Sequence, residues 1–114
     1  MKVVCVGDAY ITDEMMMNGV SPYLGQDDKI EVFFFGDSDK TIMRDVAKSI
    51  ENGNRDDFAI PEGLSEAVRD AELLIVHLCP VTRKLIEGAT QLKAIMSCRG
   101  GLENIDVQAA TERK

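Results

Sequence analysis

The chain has 114 residues, of which 45% are hydrophobic and 29% charged. This is the balance of one folded domain with a real core, not of a disordered tail. Thirteen basic against twenty acidic residues give a formal charge of −7, which argues against a nucleic-acid surface and against attraction to an anionic membrane. No apolar run reaches the roughly 18 residues of a membrane span. The apolar stretch at Val3 to Val6 is too short for a signal peptide. Three widely spaced cysteines, Cys5, Cys79 and Cys98, form no CxxC pair. They read as reduced thiols packed in the core of a cytoplasmic protein.

Two periodicities alternate along the chain. Lys2 to Val6, Ile30 to Phe35, Leu73 to His77 and Leu92 to Met96 are short apolar runs. They read as strands buried on both faces. Helical patterns lie between them. Thr12-Asp13 can cap a segment through Met15, Met16 and Met17. Ser38-Asp39 precedes Thr41 to Asn52, with Ile42, Val46 and Ile50 on one face and Gly53 just past the end. Leu64, Val68 and Ala71 share a face after Pro61-Glu62-Gly63. Thr82 precedes a turn that directs Leu85, Ile86 and Ala89 inward, and Asp106 caps Val107 to Arg113. The order βαβα(α)βαβα predicts an α/β fold, a flavodoxin-like doubly wound parallel sheet. Four strands are present, and a five-stranded version would need one more edge strand after the last helix.

In such a fold ligands sit outside the carboxyl ends of the strands. Four loops qualify: Gly7 to Tyr10, Gly36 to Ser38, His77 to Pro80, and Ser97 to Asn104. In the last, Gly100 and Gly101 let the backbone approach a ligand, successive amides can cradle a carboxylate, and Arg99 adds a bidentate cation. The alternative is a Gly-rich turn with a surface arginine. His77 is the sole histidine. As a general base it would need an orienting carboxylate, and none lies near it in sequence, so a half-buried strand-end histidine is the plainer reading. His77, Cys79 and Cys98 lack the ligand spacing of structural zinc. Asp8, Asp13, Asp37 and Asp39 could hold a metal as in a response-regulator receiver, but that fold wants an Asp where His77 stands, so caps and turns explain them better. No GxGxxG and no GxxxxGK[ST] occurs, so the dinucleotide fingerprint and the P-loop are both missing from the chain.

Residues 71 to 113 resemble a known family. Ala71-Glu72-Leu73-Leu74-Ile75-Val76, then Leu92-Lys93-Ala94-Ile95, then Asn104-Ile105-Asp106-Val107-Gln108-Ala109-Ala110-Thr111-Glu112-Arg113 is similar to the D-isomer-specific 2-hydroxyacid dehydrogenases, the phosphoglycerate dehydrogenase group. The first 70 residues match only in strand–helix order. Where the family has Gly-Val-Gly-Val this chain has Arg99-Gly100-Gly101-Leu102, and the family's Gly after Thr-Glu-Arg is Lys114.

The resemblance implies one flavodoxin-like domain over residues 1–114, similar to the N-terminal part of a substrate-binding domain, without the inserted Rossmann domain. It implies substrate contacts at His77, Leu78 and Cys79 and at Arg99, Gly100 and Gly101. The family's catalytic Arg, Glu and His and its NAD glycines come later in the chain and have no counterpart here. The expected role is a substrate-domain fragment of an NAD-dependent oxidoreductase of 2-hydroxy and 2-keto acids. By itself it should be non-catalytic, without cofactor, binding small carboxylates weakly. The alternative is a standalone flavodoxin-like interaction or regulatory module. An open strand edge at Leu92 to Met96 would favour a homodimer.

Overall fold

The computed structural model describes residues 1–98 and 102–113. Four strands form one parallel sheet: β1 (Lys2–Gly7), β2 (Lys29–Phe34), β3 (Leu73–Val76) and β4 (Ala94–Ser97). Their order across the sheet is β2-β1-β3-β4, the flavodoxin-like order expected from the sequence. β1 is the hub. Val4 lies level with Glu31 on one side and Leu74 on the other, and Leu74 is in turn level with Ile95.

Helix α1 (Asp13–Val20) covers one face of the sheet through Met16. The other face carries α2 (Lys40–Glu51), α3 (Leu64–Ala67), α4 (Arg83–Gly88) and α5 (Val107–Arg113). The larger core lies under these four, with Val4, Val6, Ile50, Leu64, Val68 and Val76 fully buried. Burying each such side chain contributes about 1.5–3 kcal/mol.

The capping signals act as expected. The side chains of Thr12, Asp39, Thr82 and Asp106 accept the backbone N–H of Met15, of Thr41 and Ile42, of Leu85 and of Ala109. Gly53 follows α2 with φ +96°, the left-handed turn that a glycine makes without strain. Leu64, Val68 and Ala71 are buried together, as are Leu85, Ile86 and Ala89.

Three expectations are corrected. The strands are not uniformly sandwiched: β1 and β3 are, but Lys29 and Glu31 of β2 and Ala94 and Met96 of β4 are exposed, because these two strands lie at the sheet margins. In α2 the inner face is turned by one residue. Met43 and Ile50 are buried while Ile42 is exposed, since Met43 packs beneath the φ +76° turn at Gly36. β4 begins at Ala94 rather than Leu92. Leu92 N–H instead closes the turn onto Ala89, and the N–H groups of Lys93 and Ala94 both reach the Glu72 carbonyl.

Among the described residues, no helix is long and apolar enough to cross a membrane.

Candidate functional site

The chain leaves β1 toward β2 on one side and returns on the other side as β3. The carboxyl ends of β1 and β3 therefore flank the point where winding reverses, the crevice in which open α/β sheets hold ligands. Asp8 follows β1 and His77 follows β3.

Asp8 is fully buried. Its Oδ1 accepts the N–H of Tyr10 at 2.8 Å and of Ile11 at 3.1 Å. Its Oδ2 accepts the Leu78 N–H at 3.1 Å and lies 2.9 Å from His77 Nδ1. A carboxylate has about four acceptor positions, and here every one is engaged. A buried carboxylate is tolerated only with such complete pairing. With Asp8 as a carboxylate, which can only accept, the His77 contact is Nδ1–H donating to Oδ2. The orienting carboxylate missing near His77 in sequence is thus supplied by Asp8, from the adjacent parallel strand. The view of His77 as an unsupported strand-end histidine is corrected.

The surroundings hold this pair in place. The Tyr10 ring meets the His77 ring edge-on at 6.5 Å between centroids. Tyr10 Oη donates to the Lys40 carbonyl at 2.9 Å, tying the end of β1 to the start of α2. Behind His77, buried Asn104 donates through Nδ2 to the carbonyls of His77 at 3.3 Å and Cys79 at 2.9 Å. Val81 N–H reaches the Asn104 carbonyl at 2.7 Å, and Asp106 N–H reaches Val81 at 2.8 Å. Arg55 braces the same segment through the Glu103 carbonyl and the Asp106 carboxylate.

Of the residues singled out from sequence, the His77 side chain stays 16% exposed. Leu78 and Cys79 are buried beneath it, with the Leu78 amide committed to Asp8. Arg99, Gly100 and Gly101 lie outside the described residues, on the stretch between Cys98 and Leu102. Asp8 reads from sequence as a cap or turn acid, and Tyr10 and Asn104 only as members of two candidate loops; their roles beside His77 were missed. The available signal was an acid placed directly after the first strand of a 2-1-3 sheet, which faces the end of β3. Asp37 and Asp39 are a turn and a cap, as read: Asp37 accepts the Asp39 N–H, and Asp39 caps α2.

Burial pushes the Cys5 thiol up to about 11 and the Cys79 thiol higher still. Desolvation also raises Cys98, although that residue is exposed rather than part of the core. None is poised as a thiolate nucleophile. Among the described residues no group of three His, Cys, Asp or Glu side chains is arranged to hold a metal. Nor does the end of β1 fit a dinucleotide. A side chain at Gly7 would strike the backbone of Ile11, Thr12 and Asp13, so its missing Cβ serves the chain's own turn and not the approach of a pyrophosphate.

Fold and geometry together define an α/β domain with a paired Asp8 and His77 at the sheet's reversal point. Residues 32–114 match the D-isomer specific 2-hydroxyacid dehydrogenase catalytic domain, and the chain belongs to that family. It is similar to D-3-phosphoglycerate dehydrogenase of Methanocaldococcus jannaschii, at 47% identity over 53 residues. That match spans 46% of this chain and 10% of the relative's length.

Proposed function

We propose that this chain is the part of a 2-hydroxyacid dehydrogenase catalytic domain that holds the substrate, and that it performs no hydride transfer alone. The ligand is a small 2-hydroxy or 2-keto carboxylate at the carboxyl ends of β1, β3 and β4. The observation that carries this reading is the fully paired Asp8 supporting a partly exposed His77 at the reversal point of the sheet. Amides at Gly100 and Gly101, with Arg99, would take the carboxylate. NAD belongs to the complete enzyme, bound on chain that lies outside these residues.

Titration with lactate, glycolate or pyruvate tests the reading by NMR. Amide shifts are expected at residues 77–79 and 99–102, with NADH fluorescence unchanged by the protein. Shifts centred elsewhere, or saturable NADH binding in the micromolar range, would refute it.

One observation favours a second reading, an interaction module. A trough of about 270 Å³ runs beside β4, lined by Ile86, Ile95, Leu102, Ile105, Val107 and Ala110 among others. β4 is an outer strand among the described residues, and an open strand beside apolar surface is a template for pairing. The occupant proposed is a second copy, its β4 antiparallel to the first about an axis at Ile95. That register sets Lys93 across from Ser97 rather than from another lysine, so no like charges meet. Sedimentation equilibrium at tens of micromolar decides it. A dimer that Leu102→Lys dissociates is expected, whereas a single 12.6 kDa species would exclude it.

A further inference from the structure

Asp8 does more than fill a hole in the core. Its Oδ2 fixes which ring nitrogen of His77 carries the hydrogen in the neutral imidazole. Three of the donors reaching Asp8 are backbone amides of Tyr10, Ile11 and Leu78, which cannot turn away, so the carboxylate is held to its acceptor role. The fourth donor is Nδ1–H. The other nitrogen, Nε2, then carries a lone pair and no hydrogen. Among the described residues Nε2 has no hydrogen-bond partner, and the His77 side chain keeps its partial exposure at the carboxyl end of β3. The ring cannot easily swing aside. Tyr10 stands edge-on to it, and Asn104 pins the His77 carbonyl from behind.

An acceptor fixed at the proposed ligand site selects for a donor. Building on the reading above, we propose that His77 is a specificity-determining residue that accepts a hydrogen bond from a ligand hydroxyl through Nε2, and that Asp8 is the positioning residue that sets this polarity. The site then favours a hydroxy acid over a keto acid or an unsubstituted acid of the same size. A keto oxygen offers only lone pairs to a lone pair, and a methylene offers nothing. Leaving a polar group of the site unpaired is what makes such discrimination effective. The proposal involves no proton transfer.

Three acids of one carbon skeleton test it: lactate, pyruvate and propionate. The His77 tautomer is read directly by long-range proton–nitrogen NMR, and the affinities come from amide shifts at residues 77–79. In the native chain Nδ1 should carry the hydrogen. Lactate should bind about fivefold more tightly than propionate, the size of one net hydrogen bond, with pyruvate no better than propionate. His77→Phe keeps the ring packing and should level the three affinities.

Asp8→Asn places an amide donor where Oδ2 stood. The hydrogen should move to Nε2 and the advantage of lactate over pyruvate should disappear, because a hydroxyl oxygen and a keto oxygen both accept from Nε2–H, with propionate left the weakest. Should that variant fail to fold, His77→Phe still decides the question. A hydrogen on Nε2 in the native chain, equal binding of the three acids, or a lactate preference that survives His77→Phe would each overturn the proposal while leaving the binding site in place. If none of the acids perturbs residues 77–79 the binding reading itself falls, and the proposal falls with it.

Discussion

β1 and β4 are similar in composition and opposite in circumstance. Val3, Val4, Cys5 and Val6 are all fully buried, whereas Met96 of β4 is 54% exposed and Ala94 is exposed beside it. Both strands are short, apolar and parallel to β3 or its neighbours. The difference lies in position: β1 has a strand on each side and helices on both faces, while β4 has β3 alone beside it. Burial is thus settled by the order of the strands more than by their apolarity. The chemistry divides the same way. The carboxyl ends of the inner strands hold a buried, fully paired carboxylate and an oriented imidazole, whereas the flank of β4 presents an apolar trough.

The largest expected effect tests this difference in packing. Leu74 and Ile95 are register neighbours on the same face, but Leu74 is 1% exposed and Ile95 is only partly buried. Leu74→Ala should cost about 3–4 kcal/mol through lost transfer energy and a cavity, and Ile95→Ala about 1 kcal/mol, because its pocket already opens to solvent. Urea denaturation of the two variants measures both. Equal losses would mean that β4 is as enclosed as β3.

The next test compares two strand-end acids. Asp8→Ala strands three backbone N–H groups and the imidazole in the interior, for about 3 kcal/mol. Asp37→Ala removes one exposed turn hydrogen bond and should cost about 0.5 kcal/mol. Thermal unfolding separates them. Similar shifts would show that Asp8 is no more than a turn residue.

Thiol chemistry sharpens the contrast at lower energy. Exposed Cys98 should react with iodoacetamide in the native protein. Cys5 and Cys79, buried and with raised thiol pKa, should react only on unfolding. Peptide mass mapping identifies the alkylated sites, and native labelling of Cys5 would contradict the closed state of β1.

The smallest expected effect lies at the opposite end of the sheet. A hydrogen bond from Lys2 holds the Asp70 carboxyl below its usual 3.8, and the same contact raises Lys2 above 10.5. The depressed acid stabilises the fold above pH 3.8 and loses that contribution as pH falls through its folded value. The raised lysine stabilises below pH 10.5 and loses its contribution as pH rises through its folded value. Asp70→Asn should therefore flatten both limbs of the stability–pH curve, and unchanged limbs would remove the pair from the account.

The strands and the caps were legible because each rests on local chemistry: short apolar runs, and Thr12, Asp39, Thr82 and Asp106 ahead of helical spacing. The sheet order followed from the right-handed crossovers of alternating strands and helices. The phase of α2 was not. Ile42 and Met43 are adjacent and equally apolar, and only the turn at Gly36 decides which of them faces inward. The exposure of Cys98 was hidden for a related reason, since the end of an outer strand resembles the end of an inner one in sequence. The Asp8–His77 pair spans 69 residues. No local pattern joins them, and the pairing follows only once β1 and β3 are placed side by side. Asn104 lay in plain view within the family-like stretch, but its two carbonyl partners are a tertiary fact.

Backbone hydrogen exchange with and without lactate tests the division of labour most directly. Protection should rise at residues 77–79, beside the supported imidazole, and stay unchanged along residues 92–96. Protection gained along the length of β4 with none at the end of β3 would contradict the proposed ligand site at the strands' carboxyl ends.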